Sequence, residues 1–597
     1  MKVDDDVADE RRRLLALVGI GGAVLTALLG IFAPHPASLF NAPRQLEALA
    51  ERALVSSDLP GLEVVFDGQR VRLRGLMDNR QVLVPFVNLR MLGRQFSPDT
   101  YQYHLLGMGL ECDSPRDYVH GQITTLKTAL VHPLIQRLPL DLATSTYIFR
   151  AMHAALGLVN VNFRDTRRDG SYVELSADAR PRLCIHYAPD AGEPARIKDA
   201  LRRVRGALFS LNCVVPPGMV HMRPMGASVH YAGTLPMTRA AAPFTTTEHC
   251  QSREYENLWL VDGATFPFLP AKNITFTLMA NAVRVAEELL TRENVSFLVG
   301  TFLSNIGLAV ADFANQKKVL FLATEPLTDA ITMAQGNKYT YRVRPSTYMQ
   351  TKMLVDAVKA KGVKKWAIVA PNYEYGQSAA ANFKKLIKIA TPDAEIVGEQ
   401  FPALGKIDAG ATVAALENAK PDGIFNVLFG ADLTVFVREG NTRGLFEKRT
   451  VASLLTGEPE YIIPLGEETP EGWIVTGYPW EQITEAKHKA FVDAYRAKFN
   501  DTPRLGSVLG YVVGYMMKDM LDKAGSTDTE KMLAALNDLK VDTIVGPVTM
   551  RALDHQSTLG AWVGETTKQG KVGTMKSWKF EDGAKYLFPE AEVKAIA

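Results

Sequence analysis

From Val295 to the C-terminus, short apolar strands alternate with helical segments, and few folds accept that order. VSFLVG (295–300) reads as a buried strand, followed by a helix over Leu308–Asn315 and the strand VLFLAT (319–324). KWAIVAP (365–371) is a strand before a helix at Ser378–Ile389. A strand at Glu395–Phe401, a helix at Ala409–Ala419 and the strand GIFNVLF (423–429) follow. Helix Leu433–Gly440, strand TVASLL (450–455) and strand GWIVTG (472–477) continue the alternation. Helical patterns at Glu485–Phe499, Ser507–Lys523 and Asp528–Leu539 complete it. Strands apolar on both faces need helices on both faces, so this half predicts an α/β fold of parallel sheets.

The first half is built from different material. At 597 residues the chain is too long for one core. Up to Arg292 it has 28 Arg and 4 Lys, and from Glu293 on it has 8 Arg and 27 Lys. Cys112, Cys184, Cys213 and Cys250 all precede Glu293. Fold physics does not demand such a switch, which predicts a composite of unrelated sequences joined near residue 293. The cysteines contain no C-x-x-C spacing, so neither a zinc site nor a disulfide framework is expected. A net charge of +2 gives no reason to expect nucleic acid.

Leu14–Phe32 is a 19-residue run without a charge, preceded by Arg11, Arg12 and Arg13. It predicts a transmembrane helix with a cytoplasmic N-terminus, or a signal segment cleaved within Ala33–Ala42. Residues 1–42 are therefore read as an anchor or signal segment, and 43–81 as a small α+β module. That module has a helix at Arg44–Leu54 and a hairpin about Asp67-Gly68. It resembles, over about 25 residues, the BON-type or outer-membrane-protein-A-type modules that follow a membrane anchor.

Residues 82–292 are informative at their end. His230, Gly233, Thr234 and Met237 form H-x-x-G-T-x-x-M; Val261, Asp262, Gly263, Phe266 and Pro267 form V-D-G-x-x-F-P; Asn273 and Thr277 open a helix. The three elements resemble the C-terminal domain of glucose–methanol–choline (GMC) flavin oxidoreductases, with Ile274 where that family has proline. The resemblance implies an α+β substrate domain acting on CH–OH, with His230 as catalytic base and Asn273 as its partner. It places Asp262 and Gly263 against FAD. No Gly-rich dinucleotide turn precedes residue 226, so FAD is expected only if a flavin-binding half comes from elsewhere.

The second half carries VGTFLS, YRVRPST, APNYEYGQS, FGADL and TGEPEY in order. These phrases resemble periplasmic binding proteins of the branched-chain amino acid type. The resemblance implies a type I periplasmic-binding-protein fold over residues 293–597, two lobes of parallel sheet whose strand-end loops grip a solute, with the first lobe incomplete. It implies a non-enzymatic component of an ABC importer, with an amino acid-like solute, an ABC permease as partner, no cofactor and no metal. Its location would be the periplasm, exported or anchored through Leu14–Phe32. Ser304, Asn305, Ala323 and Thr324 would take the solute carboxylate, and Glu458 its ammonium. Tyr375, Ala431 and Asp432 would complete the site, with Tyr478 and Trp480 along its apolar side.

Overall fold

The computed structural model describes residues 72–96, 106–125, 141, 143, 153–175, 183–228 and 230–596. The apolar run Leu14–Phe32, the helix at Arg44–Leu54 and the turn at Asp67-Gly68 lie outside these residues. Among the described residues, no helix is long and apolar enough to cross a membrane. The described chain separates into two compact units between Glu293 and Asn294.

The first unit is α+β. Strands β1 (Gln81–Asn88), β2 (Leu106–Leu110), β3 (Val119–Thr125) and β4 (Leu156–Asn162) form an antiparallel sheet in the order β1-β4-β3-β2. Helix α1 (Glu193–Ser210) covers it. Ile197, Ala200, Val204 and Leu208 recur on one helical face and pack on Val82, Val84, Val159 and Val161. Helix α2 (Thr275–Thr291) ends the unit. It fully buries only Val285 and leaves Phe276, Met279 and Val283 exposed at helical spacing.

The second unit has two lobes. In the first, β5 (Phe297–Gly300), β6 (Leu320–Ala323) and β7 (Thr340–Arg342) form a parallel sheet, with helix α3 (Ser304–Lys317) between β5 and β6. In the second, helix α4 (Thr347–Val358) leads into β8 (Lys365–Val369), α5 (Glu374–Ala390), β9 (Glu395–Gln400) and α6 (Ala409–Ala419). Then come β10 (Gly423–Asn426), α7 (Gly430–Thr442), β11 (Thr450–Gly457), the short α8 (Pro459–Leu465) and β12 (Ile474–Gly477). The chain next crosses back to add α9 (Ala486–Phe499), α10 (Leu505–Ala524) and α11 (Thr529–Leu536) to the first lobe, where they pack on Leu320, Leu322 and Tyr341. A third crossing brings β13 (Ala561–Gln569) and β14 (Val572–Glu581) to the second lobe. The resulting seven-stranded sheet has the order β9-β8-β10-β11-β12-β13-β14, parallel up to β12 and antiparallel beyond it.

Helix α5 shows why the alternation folds this way. Tyr375, Ala379, Phe383, Leu386 and Ile387 recur every three to four residues and face the sheet, where the Phe383 ring stacks on Phe425 at 4.1 Å. At the hinge, β11 and β12 come into direct backbone contact. A Cβ on Gly477 would collide with the Gly457 backbone, and that approach fixes where the loop bearing Glu458 begins.

Candidate functional site

Parallel α/β sheets present their strand-end loops and the following helix N-termini at one edge, where ligands settle. In the second unit three such helix starts converge. The starts of α3, α5 and α7 follow β5, β8 and β10, and none has a side-chain cap. Their flanking rings touch. Phe302 lies 6.2 Å from Phe429, Tyr373 6.4 Å, Tyr375 5.8 Å and Tyr461 6.1 Å, centroid to centroid. Phe302 belongs to the first lobe and the other four rings to the second, so the cluster spans the cleft.

Beside these rings lies a buried ion triad. Arg344 follows β7 on the first crossing and pairs with Glu325 of the first lobe and Glu458 of the second. The three side chains are 4%, 13% and 2% exposed. Burial pushes the Glu458 carboxyl well above the usual carboxylate range, while the Arg344 charge opposes that. Glu460 accepts from the backbone N–H of Leu505 at 3.2 Å and caps α10. A void of about 20 Å³ adjoins Arg344, Glu458 and Trp562, room for about one water.

The residues expected at the site divide. Ser304 is buried, and its hydroxyl accepts from the N–H groups of Leu327 and Thr328 at 3.3 and 3.2 Å, binding two loops together. Ala323 is buried at the end of β6, and the Thr324 hydroxyl donates to the Thr301 carbonyl at 3.3 Å. Tyr375 is buried in the ring cluster, and its hydroxyl has no hydrogen-bond partner. Asn305 and Ala431 are exposed at helix starts, and Asp432 accepts from Gly405 N–H at 2.7 Å. Glu458 holds Arg344. Tyr478 belongs to the first-lobe core and shares a 2.7 Å hydrogen bond with His488. Trp480 lies against the Arg496 guanidinium at 5.9 Å. The sequence reading missed Phe302, Glu325, Arg344, Phe429 and Tyr461. YRVRPS did carry a signal, because two arginines two apart point to the same side of a strand that is otherwise apolar.

In the first unit, His230 Nδ1 lies 3.2 Å from the Asn79 carbonyl oxygen. Asn79 donates its amide to Phe163 and Pro270, so its oxygen accepts and the imidazole proton sits on Nδ1. Burial lowers the His230 pKa, which keeps the ring neutral near pH 7 with Nε2 as its basic atom. Asn273 is exposed. Asp262 accepts from Ala264 N–H at 2.8 Å and caps a short 3₁₀ turn, while a Cβ on Gly263 would meet the Tyr231 carbonyl oxygen at 2.5 Å. Both residues are committed inside the unit and do not by themselves make a flavin cradle. An apolar cavity of about 490 Å³ opens beside α2, lined by Phe266, Pro267, Ile274 and Thr277.

Asp262 supports a prediction. Burial pushes its carboxyl up to about 6. The folded value lies above the unfolded one near 3.9, so ionisation costs the folded unit. The stability is complete below about pH 4 and falls as pH rises through 6, by up to about 3 kcal/mol at 1.36 kcal/mol per pKa unit. Asp262→Asn keeps an N-cap and removes the charge. Calorimetry between pH 4 and 7 should show that slope in the wild type and a shallower one in the variant, where Asp78 and Glu254, also raised by burial, still titrate; equal slopes would refute the assignment.

Residues 279–571 match the family described as periplasmic binding protein. That match spans most of the second unit. Residues 167–282, a span that includes His230, Asp262 and Asn273, match the family described as GMC oxidoreductase. The chain is 22% identical over 314 residues to a Leu/Ile/Val-binding protein homolog 7 of Brucella suis, covering 49% of this chain and 77% of that protein. It is 26% identical over 274 residues to a leucine-, isoleucine-, valine-, threonine- and alanine-binding protein of Pseudomonas aeruginosa, covering 44% and 69%. Among solved structures, a solute-binding protein of an ABC transporter from Rhodopseudomonas palustris, in complex with 3,4-dihydroxybenzoic acid, is similar at 23% identity. That match has a TM-score of 0.46 over 51% of this chain and 85% of the other.

Proposed function

We propose that the chain acts outside the cytoplasm as the solute-binding component of an ABC importer. It takes an amino acid or similar small polar solute between the two lobes of the binding-protein domain and presents it to a permease. The observation that carries this reading is the meeting of strand-end loops from both lobes at the ring cluster of Phe302, Tyr375 and Phe429. The relatives named for leucine, isoleucine and valine binding support it. Three crossings hinge the lobes, and closure on a solute buries it among rings and helix N-termini. Leu14–Phe32 would tether the chain to the inner membrane or direct its export.

Ligand linkage tests this. A solute at about 100 times its Kd stabilises its domain by about 2.7 kcal/mol. Amino acids and small carboxylic acids should include at least one that raises the domain's melting temperature by roughly 5 °C. No shift across the panel would overturn the reading.

The match at residues 167–282 favours a second reading for the first unit, an FAD-dependent alcohol or sugar oxidoreductase with His230 as base and Asn273 as its partner. FAD would then sit against Asp262 and Gly263, held by a flavin-binding half from elsewhere. We expect purified chain to show no flavin absorption band; a stoichiometric band would reverse that expectation. The two units with their separate family matches read as a composite, which the intact mass and the genomic reading frame across residues 285–300 would test.

A further inference from the structure

Within the proposed solute site, the groups that would recognise the solute are unevenly committed. Glu458 occupies the place expected to hold an ammonium, yet its carboxylate is already bound to Arg344. The same guanidinium also binds Glu325, so one internal cation serves two acids. The triad carries a formal charge of −1, which would draw a cation. Burial answers that charge by favouring a proton on Glu458, and each carboxylate already places one oxygen on the guanidinium. The void beside Glu458 is about 20 Å³, room for about one water and too small for a solute ammonium with its body.

The donors at the site are uncommitted. The Tyr375 hydroxyl is fully buried and has no hydrogen-bond partner, at a cost of about 1–3 kcal/mol for an unmade bond. Its ring lies 5.8 Å from Phe429, which lies 6.1 Å from Tyr461 on the helix that follows Glu458. Around it, α3, α5 and α7 begin without side-chain caps, and each helix start presents backbone N–H groups and a positive dipole end. Two acids stand in these first turns, and both are turned to other partners. Glu374 accepts from the Thr328 hydroxyl at 2.6 Å, and Asp432 accepts from the N–H groups of Gly405 and Ile407. The walls are the rings of Phe302, Tyr373, Phe429 and Tyr461, which suit a flat or apolar body.

We infer that the solute is a small carboxylic acid with an apolar body and no amino group, its carboxylate taking the Tyr375 hydroxyl and the converging helix N-termini while Arg344 stands where a solute ammonium would be. This rests on the solute-binding reading above and narrows it.

Full-length chain is titrated by calorimetry and thermal shift with three compounds of one skeleton: 3-phenylpropanoate, phenylalanine and 2-phenylethylamine. A branched aliphatic set, 4-methylpentanoate, leucine and 3-methylbutylamine, is run beside them. The acid without an amine should bind at least tenfold more tightly than its two counterparts in one or both sets. An amino acid or amine binding as tightly as the acid would overturn the inference and leave solute binding intact. No binding by any compound would overturn the solute-binding reading and the inference with it. Tyr375→Phe gives a second readout in the same assays. It removes a buried orphan hydroxyl, so the ligand-free domain should melt no lower than wild type, while affinity for the acid falls about tenfold. Unchanged affinity for the acid in Tyr375→Phe would overturn the role of the hydroxyl.

Discussion

Replacing Arg342 by methionine is expected to destabilise the second unit by about 2–5 kcal/mol, the cost of stranding buried acceptors at about 1–3 kcal/mol each. Arg342 is fully buried at the end of β7. Its Nε donates to the Gln556 side chain at 2.5 Å, one Nη to the carbonyls of Leu327 and Thr328, and the other to the Thr332 hydroxyl at 3.1 Å. Burial lowers its pKa to about 10, still far above neutrality, so it remains a cation. Methionine fills similar volume without donors, which leaves the Thr328 carbonyl and the Gln556 side-chain oxygen unmet at about 1–3 kcal/mol each, while the Leu327 carbonyl keeps the Thr347 N–H at 2.8 Å. The Thr328 carbonyl belongs to the loop that follows Thr324 and Glu325, so the site loses its floor with it. Arg342→Lys keeps the charge but not the planar fork, and should recover less than half of the loss. Chemical denaturation of the full chain, following the transition that ligand shifts, measures both variants. A loss below about 1 kcal/mol for Arg342→Met would remove Arg342 from this role.

The frame of the second unit was legible because periodicity reports burial directly. The helix at Ala409–Ala419 and the strands beginning at Lys365 and Glu395 appear where apolar spacing places them. Helix α4 escaped that reading. Nine of its residues are buried, among them Thr347, Gln350 and Thr351, so no polar face marks its period. The closing hairpin β13–β14 escaped as well. Its lysine-bearing strands pair antiparallel about a left-handed Gly570, beyond the last parallel unit, where alternation of strand and helix gives no cue.

The site was legible only in part, for a different reason. Ser304, Thr324 and Tyr375 lie at strand ends, a place that topology alone assigns. Which charge meets which acid is set by the crossings between lobes. Arg344 and Glu458 are 114 positions apart, and no local pattern announces their pairing. In the first unit, His230 was legible from its motif. Its partner Asn79 lies 151 positions away and came from a stretch read as part of another module.

The second large effect follows from that long-range pair. Arg344→Met removes the one cation from between Glu325 and Glu458 and should cost about 3–5 kcal/mol near pH 8. The sign of its pH dependence is fixed by burial. Desolvation already raises the Glu458 pKa in the wild type, and Arg344 is the largest influence opposing it. Without Arg344 the folded value rises further above the unfolded one of about 4.3. A group shifted upward in the folded state favours folding when protonated, so the variant's stability is complete at low pH and is lost as pH rises through that raised value. The deficit against wild type should therefore be smaller at pH 5 than at pH 8. Arg344→Met with Glu325→Gln and Glu458→Gln leaves no uncompensated charge, and should regain more than half of the loss at pH 8 and flatten the profile. Glu458→Gln alone should be milder, because Arg344 keeps Glu325. If Arg344→Met unfolds at pH 8 as wild type does, or if its deficit is the same at both pH values, the triad does not hold the lobes by charge.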